Sequence, residues 1–235
     1  MNKVFKHLSL AVAVSAAMVS TQALAYEEGD WIVRVGATMV DPDASSNIVT
    51  VNGADAFAGS KVDVEADTQL GLNIEYMISP NLGIELLAAT PFEHTVKAKG
   101  ALGAALAGNG GKDVATVKQL PPTLSLNYHF DTNSAWQPYI GVGINYTVFF
   151  SEDGSGELEA TLGSDTDVEL DDSWGLAAQA GVNYHVDEKW LINASVRYID
   201  ISTDAEITVK ANGAKIETDV DVDPYVYTLS VGYKF

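Results

Sequence analysis

Apolar and polar residues alternate along most of this chain, and a period of two is the pattern of β-strands. The closing segment, residues 225–235, shows it clearly: every second position is apolar or aromatic, and Thr228, Ser230, Gly232 and Lys234 lie between. The alternation predicts eight strands, over residues 30–40, 62–78, 82–95, 115–130, 135–151, 172–186, 190–205 and 225–235.

The connections between these strands are alternately short and long. The short ones, 79–81, 131–134 and 187–189, are rich in turn-forming residues. The long ones, roughly 41–61, 96–114, 152–171 and 206–220, hold much of the acid. Short periplasmic turns and long extracellular loops are typical of outer-membrane barrels. We interpret the long connections as solvated loops, with calcium or a partner protein as the alternative for their acidic residues.

The amino terminus has the pattern of an export signal. Lys3 and Lys6 precede an apolar run at 8–19, and Ala23-Leu24-Ala25 is a small-x-small cleavage site. We therefore predict a signal peptide, 1–25, cleaved after Ala25, and a single domain, 26–235. No later stretch approaches 18 uninterrupted apolar residues, so a membrane location requires a closed barrel.

Composition narrows the class further. The chain of 235 residues has no cysteine, which excludes disulfides and thiol chemistry, and its net charge of −19 argues against nucleic acid as a partner. A soluble lipocalin-like barrel is the alternative fold. The polar faces, however, carry Gly, Ser, Asn and Thr, which suit a narrow lumen better than a water-facing surface. We predict an all-β fold, an eight-stranded antiparallel transmembrane barrel surrounded by outer-membrane lipid.

Four charged residues of the inward faces fall near the periplasmic end. They are Arg34, Glu75, Glu85 and Lys234. An eight-stranded barrel is just wide enough for side chains to fill it, so two acids and two bases at one level predict a paired polar plug. The alternative is a scatter of unrelated charges. His129 and His185 fall at the same end, and we assign them to this polar layer in preference to a metal site.

The inward positions of the upper half are mostly apolar. Leu87, Ala89 and Phe149 are predicted to line the channel there, together with Arg197 at mid-height. Arg197 is interpreted as a partner of Glu85 or, alternatively, as a ligand contact. An ion pore would need a wetted, charged constriction, so this lumen favours a small apolar molecule.

Three prolines fall in the third and fourth strands, which should pair. Pro91, Pro121 and Pro122 lack amide hydrogens and should interrupt the hydrogen-bond ladder between these strands. The interruption is either a lateral opening from the lumen to the membrane or a bulge that only ends pairing. The pattern of residues alone does not separate the two.

Several strings resemble the OmpW family of outer-membrane proteins. They are Leu-Leu-Ala-Ala-Thr-Pro-Phe at 86–92, Leu-Pro-Pro-Thr at 120–123, Pro-Tyr-Ile-Gly-Val-Gly-Ile-Asn-Tyr-Thr at 138–147 and the closing Gly-Tyr-Lys-Phe. The resemblance implies a narrow hydrophobic channel that is closed toward the periplasm and opens sideways. The family includes relatives implicated in uptake of hydrophobic compounds such as alkanes. Leu87 matches a family position that narrows the channel, and the other narrowing position, often aromatic in relatives, falls on Arg197.

The expected function is passive uptake of small hydrophobic solutes without chemistry, cofactor or metal. A pore for small ions or polar solutes, and a structural or receptor barrel, are the alternatives. An enzyme acting on lipid would need a histidine beside a nucleophile or acid near the outer leaflet. His94 alone lies there, and its neighbours Glu93 and Thr95 should face the other side of the strand. A barrel of eight strands can act as a monomer.

Overall fold

The computed structural model describes residues 26–46, 49–56, 60–107 and 113–235; the predicted signal peptide, 1–25, lies outside the described residues. These residues are mostly β-strands with two short helices, and neither helix is long and apolar enough to cross a membrane. In chain order the elements are β1 (Trp31–Asp41), β2 (Ser45–Ser46), β3 (Thr50–Val51), β4 (Ala54–Asp55), β5 (Lys61–Val64), β6 (Asp67–Ser79), β7 (Leu82–Ala89), β8 (Phe92–Lys99), α1 (Gly100–Ala107), β9 (Asp113–Leu120), β10 (Thr123–His129), β11 (Trp136–Gly154), α2 (Gly156–Leu162), β12 (Thr166–Leu170), β13 (Ser173–His185), β14 (Trp190–Ile199), β15 (Ser202–Val209), β16 (Ala214–Asp221) and β17 (Tyr225–Lys234).

Eight of these strands close into a ring. The order is β10-β7-β6-β1-β17-β14-β13-β11, every neighbouring pair is antiparallel, and the pairing of β10 with β11 completes the circle. The last strand pairs with the first, with Gly232 opposite Arg34. The predicted eight-stranded antiparallel barrel is confirmed.

The outer wall of the barrel is apolar and the interior is polar. Val142, Leu176 and Leu229 are among the most exposed large apolar side chains, whereas Asn127, Asn145 and Asn183 are buried inside. Aromatic residues form a girdle at each end of this exposed apolar wall, with ring contacts such as Trp31–Tyr76 below and Tyr146–Trp174 above. Such an inverted surface with two aromatic girdles is the pattern of a barrel in lipid.

Above the barrel, the structure corrects the prediction of solvated loops. The strands predicted over 62–78, 82–95, 115–130 and 190–205 are each divided in two, and the outer parts continue upward as β5, β8, β9 and β15. Much of the long connections also forms strands: β12, β15, β16, β3 and β4 make a second sheet, with β2 paired to β16. Val168 and Val220 are buried on the inner face of this sheet, whereas the acidic residues that alternate with them along the strands face water. These segments therefore have an apolar face that can drive folding, although their net charge suggests solvated loops.

Candidate functional site

Two arginines and two glutamates meet inside the lower half of the barrel. The Arg34 guanidinium donates to Glu75 Oε2 at 2.5 Å and also to Glu85. The Arg197 guanidinium donates to the other oxygen of Glu85 at 2.6 Å. All four side chains are buried. We call Arg34, Glu75, Glu85 and Arg197 the ion cluster.

Neutral side chains complete the hydrogen bonding of the ion cluster. Glu75 Oε1 accepts from Asn127 at 2.9 Å and lies 2.7 Å from His129 Nε2. Gln179 donates to Glu85 Oε1 at 3.1 Å and accepts a hydrogen bond from Arg197. Buried charges are tolerated only when they are paired and their remaining donors and acceptors are largely satisfied. The ion cluster and these neutral partners come from six strands, β1, β6, β7, β10, β13 and β14, and their hydrogen bonds connect those strands across the lumen at this level.

The structure corrects the assignment of Lys234 to this cluster. Lys234 lies opposite Ile32 in the ladder between the first and last strands. Gly232, two residues earlier, is the residue that lies opposite Arg34. The ammonium lies 3.6 Å from Asp30 Oδ2 instead. Near that level Tyr26, Ile32, Met77 and Leu191 form a small apolar cluster. Lys234 is therefore placed too low for the ion cluster, and Arg197 is the second base.

The two histidines of this end have different partners. His129 contacts Glu75, as expected for a member of the polar layer. His185 Nε2 lies 3.0 Å from Gln137 Oε1, and its ring contacts Tyr26. Among the residues that the structure describes, no group of three or more histidine or acidic side chains is placed to hold a metal ion.

Above the ion cluster the interior becomes apolar. Leu87 is 3% exposed and lies opposite Thr123. Ala89 and Phe149 pack against a buried cluster, which we call the apolar band: Val40, Phe92, Ala177, Ile199, Ile201, Val220, Val222 and Val226. Of the four residues predicted to line the channel, Ala89 and Phe149 pack against the apolar band, Leu87 is buried below it, and Arg197 lies in the ion cluster.

The ladder between β7 and β10 is interrupted where the prolines lie. Leu87 pairs with Thr123, and pairing between the two walls resumes only at Phe92 with Gln119. No ladder pair joins residues 88–91 to residues 120–122 in this described part of the chain. Pro91 is exposed and Pro121 is buried. The neighbouring ladders continue past this point, for example Ala89 with Gly71 and Leu120 with Val148.

The same interruption reverses the faces of one strand. The β7–β8 side has one residue more than the β10–β9 side between the two flanking pairs. Glu85 and Leu87 face inward below this bulge, whereas Phe92 and His94 are buried inside above it. A slip of one residue exchanges the two faces of a strand. The prediction of one continuous strand over 82–95 is therefore wrong, and His94 faces the interior.

A cavity of about 90 Å³ lies between the extended barrel wall and the second sheet. Its wall is almost entirely apolar, from valines of β5, β8 and β9 on one side and from β12, β15 and β16 on the other. His94 and Gln119 are its strongest hydrogen-bonding groups. Sequence reasoning missed this site because it lies in acid-rich segments. The usable signal was alternation such as Asp167-Val168-Glu169-Leu170.

Comparison with known proteins agrees with this architecture. The model of the OmpW family matches residues 27–235. The chain belongs to the OmpW family. Outer membrane protein W of Vibrio cholerae is 41% identical over 225 residues, which cover 95% of this chain and 97% of the relative. This OmpW-family chain is thus an outer-membrane β-barrel, as predicted.

Two solved structures are similar along most of their length. The crystal structure of the outer membrane protein OprG from Pseudomonas aeruginosa has a TM-score of 0.81 and 45% identity, covering 90% of this chain and 98% of that chain. The solid-state NMR structure of the outer membrane protein AlkL in lipid bilayers has a TM-score of 0.62 and 28% identity, covering 89% and 92%. The predicted resemblance to the OmpW family is confirmed, and AlkL is among the similar structures.

Proposed function

We propose that this OmpW-family barrel is a passive conduit for small hydrophobic molecules. The solute enters between the extracellular sheets, passes the apolar band and leaves sideways into the membrane beside Pro91, Pro121 and Pro122. The observation that carries the proposal is the position of the ladder interruption, which lies beside the apolar band and above the ion cluster.

The lower lumen supports a sideways route over a direct one. The ion cluster and its hydrogen-bonded neighbours place paired charges across the lower lumen, and an apolar solute gains nothing by displacing them. The membrane core, by contrast, is a favourable destination for apolar surface. We therefore propose that an apolar small molecule occupies the upper interior.

A pore for small ions or polar solutes remains the second candidate class. Such a pore needs a wetted passage lined by charge. Here Arg34 and Arg197 bind Glu75 and Glu85, so their charges neutralise one another. Steady conductance of the purified barrel in planar bilayers would favour this alternative, and silent bilayers would count against it. We propose no enzymatic activity.

A reversible cross-link across the interruption tests the conduit. The chain has no cysteine, so Thr90→Cys with Leu120→Cys introduces the only thiols. A short bis-thiosulfonate linker between them should lower uptake of n-octane by cells, and a reducing agent should restore it. The matched control is Leu86→Cys with Leu124→Cys, a pair joined in the intact ladder between the same two walls. The same linker there should leave uptake unchanged.

Equal uptake by the linked and reduced forms of the first pair would overturn the sideways route. Loss of uptake in both linked pairs would also count against it, because the effect would then come from stiffening the wall and not from closing a gap. Folding is checked for each variant by the temperature-dependent gel migration of the barrel.

A further inference from the structure

The cavity between the two sheets carries hydrogen-bonding groups that the proposed conduit does not use. Seventeen residues line it, most of them aliphatic. Against this wall, His94 and Gln119 are both buried, and Gln119 Nε2 lies 2.9 Å from His94 Nε2. The cavity is larger than one water requires, which is roughly 10–15 Å³. It is therefore a mostly apolar site in which His94 and Gln119 form a polar spot, with Thr203 and Thr218 also in the lining.

The partners of His94 fix the polarity of this spot. His94 Nδ1 lies 2.6 Å from the backbone oxygen of Glu65, and a carbonyl oxygen only accepts, so Nδ1 carries the hydrogen. Burial lowers the pKa of His94, which keeps the imidazole neutral despite the opposing effects of Glu65 and Asp67. In the neutral ring, Nε2 is then an acceptor.

The acceptor on His94 determines the orientation of the Gln119 amide. The amide nitrogen must be the group that donates to His94 Nε2. The amide oxygen, Oε1, is buried and has no hydrogen-bond partner among the described residues. A buried acceptor without a donor is costly, so a group in the cavity that offers a donor would be bound in preference to one that does not.

We propose that the cavity selects apolar solutes that bear a single hydrogen-bond donor, such as a hydroxyl group, which binds Gln119 Oε1. The apolar body of the solute lies against the valines of the two sheets, Leu170 and Ile207. This inference rests on the proposed conduit and names the substrate class within it. Gln119 is opposite Phe92 at the upper edge of the ladder interruption, so the cavity lies next to the proposed exit.

Two isomeric solutes separate hydrogen bonding from hydrophobicity. 1-Octanol has a donor, and heptyl methyl ether, with the same atoms, has only an acceptor. Binding of each to the purified barrel in lipid nanodiscs is measured by titration calorimetry. We expect the alcohol to bind about five- to tenfold more tightly than the ether, a ratio typical of one buried hydrogen bond.

Gln119→Met combined with His94→Phe removes the Gln119 acceptor and also the His94 Nε2 acceptor, which would otherwise lose its donor and bind the alcohol in its place. In this variant the affinity for the alcohol should fall to that of the ether, while the affinity for the ether stays as it was. The control is Gln137→Met, which removes a buried glutamine near the opposite end of the barrel, where it contacts His185. This control should keep the preference for the alcohol.

Equal binding of the two isomers by the unsubstituted protein would overturn the inference, and this comparison needs no variant to fold. An alcohol preference that survives the double substitution of Gln119 and His94 would also overturn it. The proposed conduit is tested by a separate experiment, the cross-link across the ladder interruption. A selective cavity with unchanged octane uptake after cross-linking would refute the sideways route and leave the binding site intact.

Discussion

Arg34 connects two carboxylates inside the barrel, and it is the one arginine that contacts both of them in the ion cluster. Its guanidinium contacts Glu75 and Glu85 on neighbouring strands, and both are almost fully buried. Removing one partner of a buried ion cluster leaves uncompensated charge, which typically costs about 3–5 kcal/mol. Lys234, by contrast, pairs with Asp30 at a partly exposed position.

We predict that Arg34→Ala lowers the free energy of unfolding by about 3–5 kcal/mol. Lys234→Ala should lower it by only about 0–1 kcal/mol, as for other partly exposed pairs. Urea unfolding in lipid vesicles, followed by tryptophan fluorescence, measures both. Similar losses for the two variants would mean that Lys234 belongs to the ion cluster after all.

Leu87 lies between the ion cluster and the apolar band, on the proposed route of the solute. Leu87→Asp should lower octane uptake several-fold, because a carboxylate there attracts water or Arg197 and makes the passage polar. Leu87→Met, which conserves volume and apolarity, should keep most of the uptake. Uptake is measured in cells with equal amounts of folded barrel. Normal uptake by the aspartate variant would contradict the route past Leu87.

His94 should make stability depend on pH. Burial lowers its pKa in the folded protein, so the unfolded chain binds this proton at a higher pH than the folded one. Stability due to His94 is therefore lost as pH falls below the ordinary imidazole range, at up to about 1.4 kcal/mol per pH unit. His94→Gln should lose less stability than the unsubstituted protein between pH 7 and pH 5. Parallel pH profiles would refute this assignment.

At the scale of elements, the prolines keep β7–β8 and β9–β10 from pairing along their whole length. Replacing Pro121 and Pro122 by Val supplies two amide hydrogens and favours a continuous strand. We expect lower octane uptake and slower hydrogen exchange over residues 88–91, with no loss of stability. Leu126→Val, in the paired part of β10, is the matched control. Faster exchange over residues 88–91 would mean that the prolines do not hold the gap open.

The sequence predicted the strands of the barrel well and their outer continuations poorly. Strands such as β13 and β17 were placed within a residue or two, because lipid on one side and a polar lumen on the other give a strict alternation. The ion cluster was recognisable from Arg34, Glu75 and Glu85, whose heights follow from strand position. Lys234 was misplaced because its height in the barrel differs from that of Arg34 by only two residues along a strand. Side-chain packing decides such a small difference, and the alternation of apolar and polar residues does not show it.

The upper cavity was not predictable from alternation alone. Its walls come from segments far apart in the chain, and only the pairing of β12 with β15 and of β15 with β16 brings them together. The bulge between β7 and β8 was equally hidden. Even-numbered positions stay largely apolar from Leu82 to Ala98, so the sequence shows one uninterrupted strand while the backbone changes faces.

At the scale of the whole molecule, exposed residues face two different solvents. Val142 is 66% exposed on the barrel wall, and Asp167 is exposed on the second sheet. Val142→Arg should cost about 2–4 kcal/mol, the range for a cation near the bilayer midplane. Asp167→Arg should change stability by less than about 0.5 kcal/mol, as for ordinary surface sites. Unfolding from lipid vesicles tests both. Equal costs would place the two residues in the same environment.

The one-residue bulge after Ala89 has a consequence for where the membrane ends. Below it, the apolar side of the strand must face outward, toward acyl chains. Above it, at the exposed Glu93–Lys118 ion pair, water surrounds the wall and the apolar side must face inward. In β7–β8 the extra residue of the bulge exchanges the inward-facing and outward-facing positions of the strand. In β10–β9 the odd positions face inward throughout, and the apolar residues shift from even to odd positions at the prolines. In both walls the apolar side changes from outward-facing to inward-facing at the same height. That height marks the outer boundary of the hydrocarbon layer on this barrel.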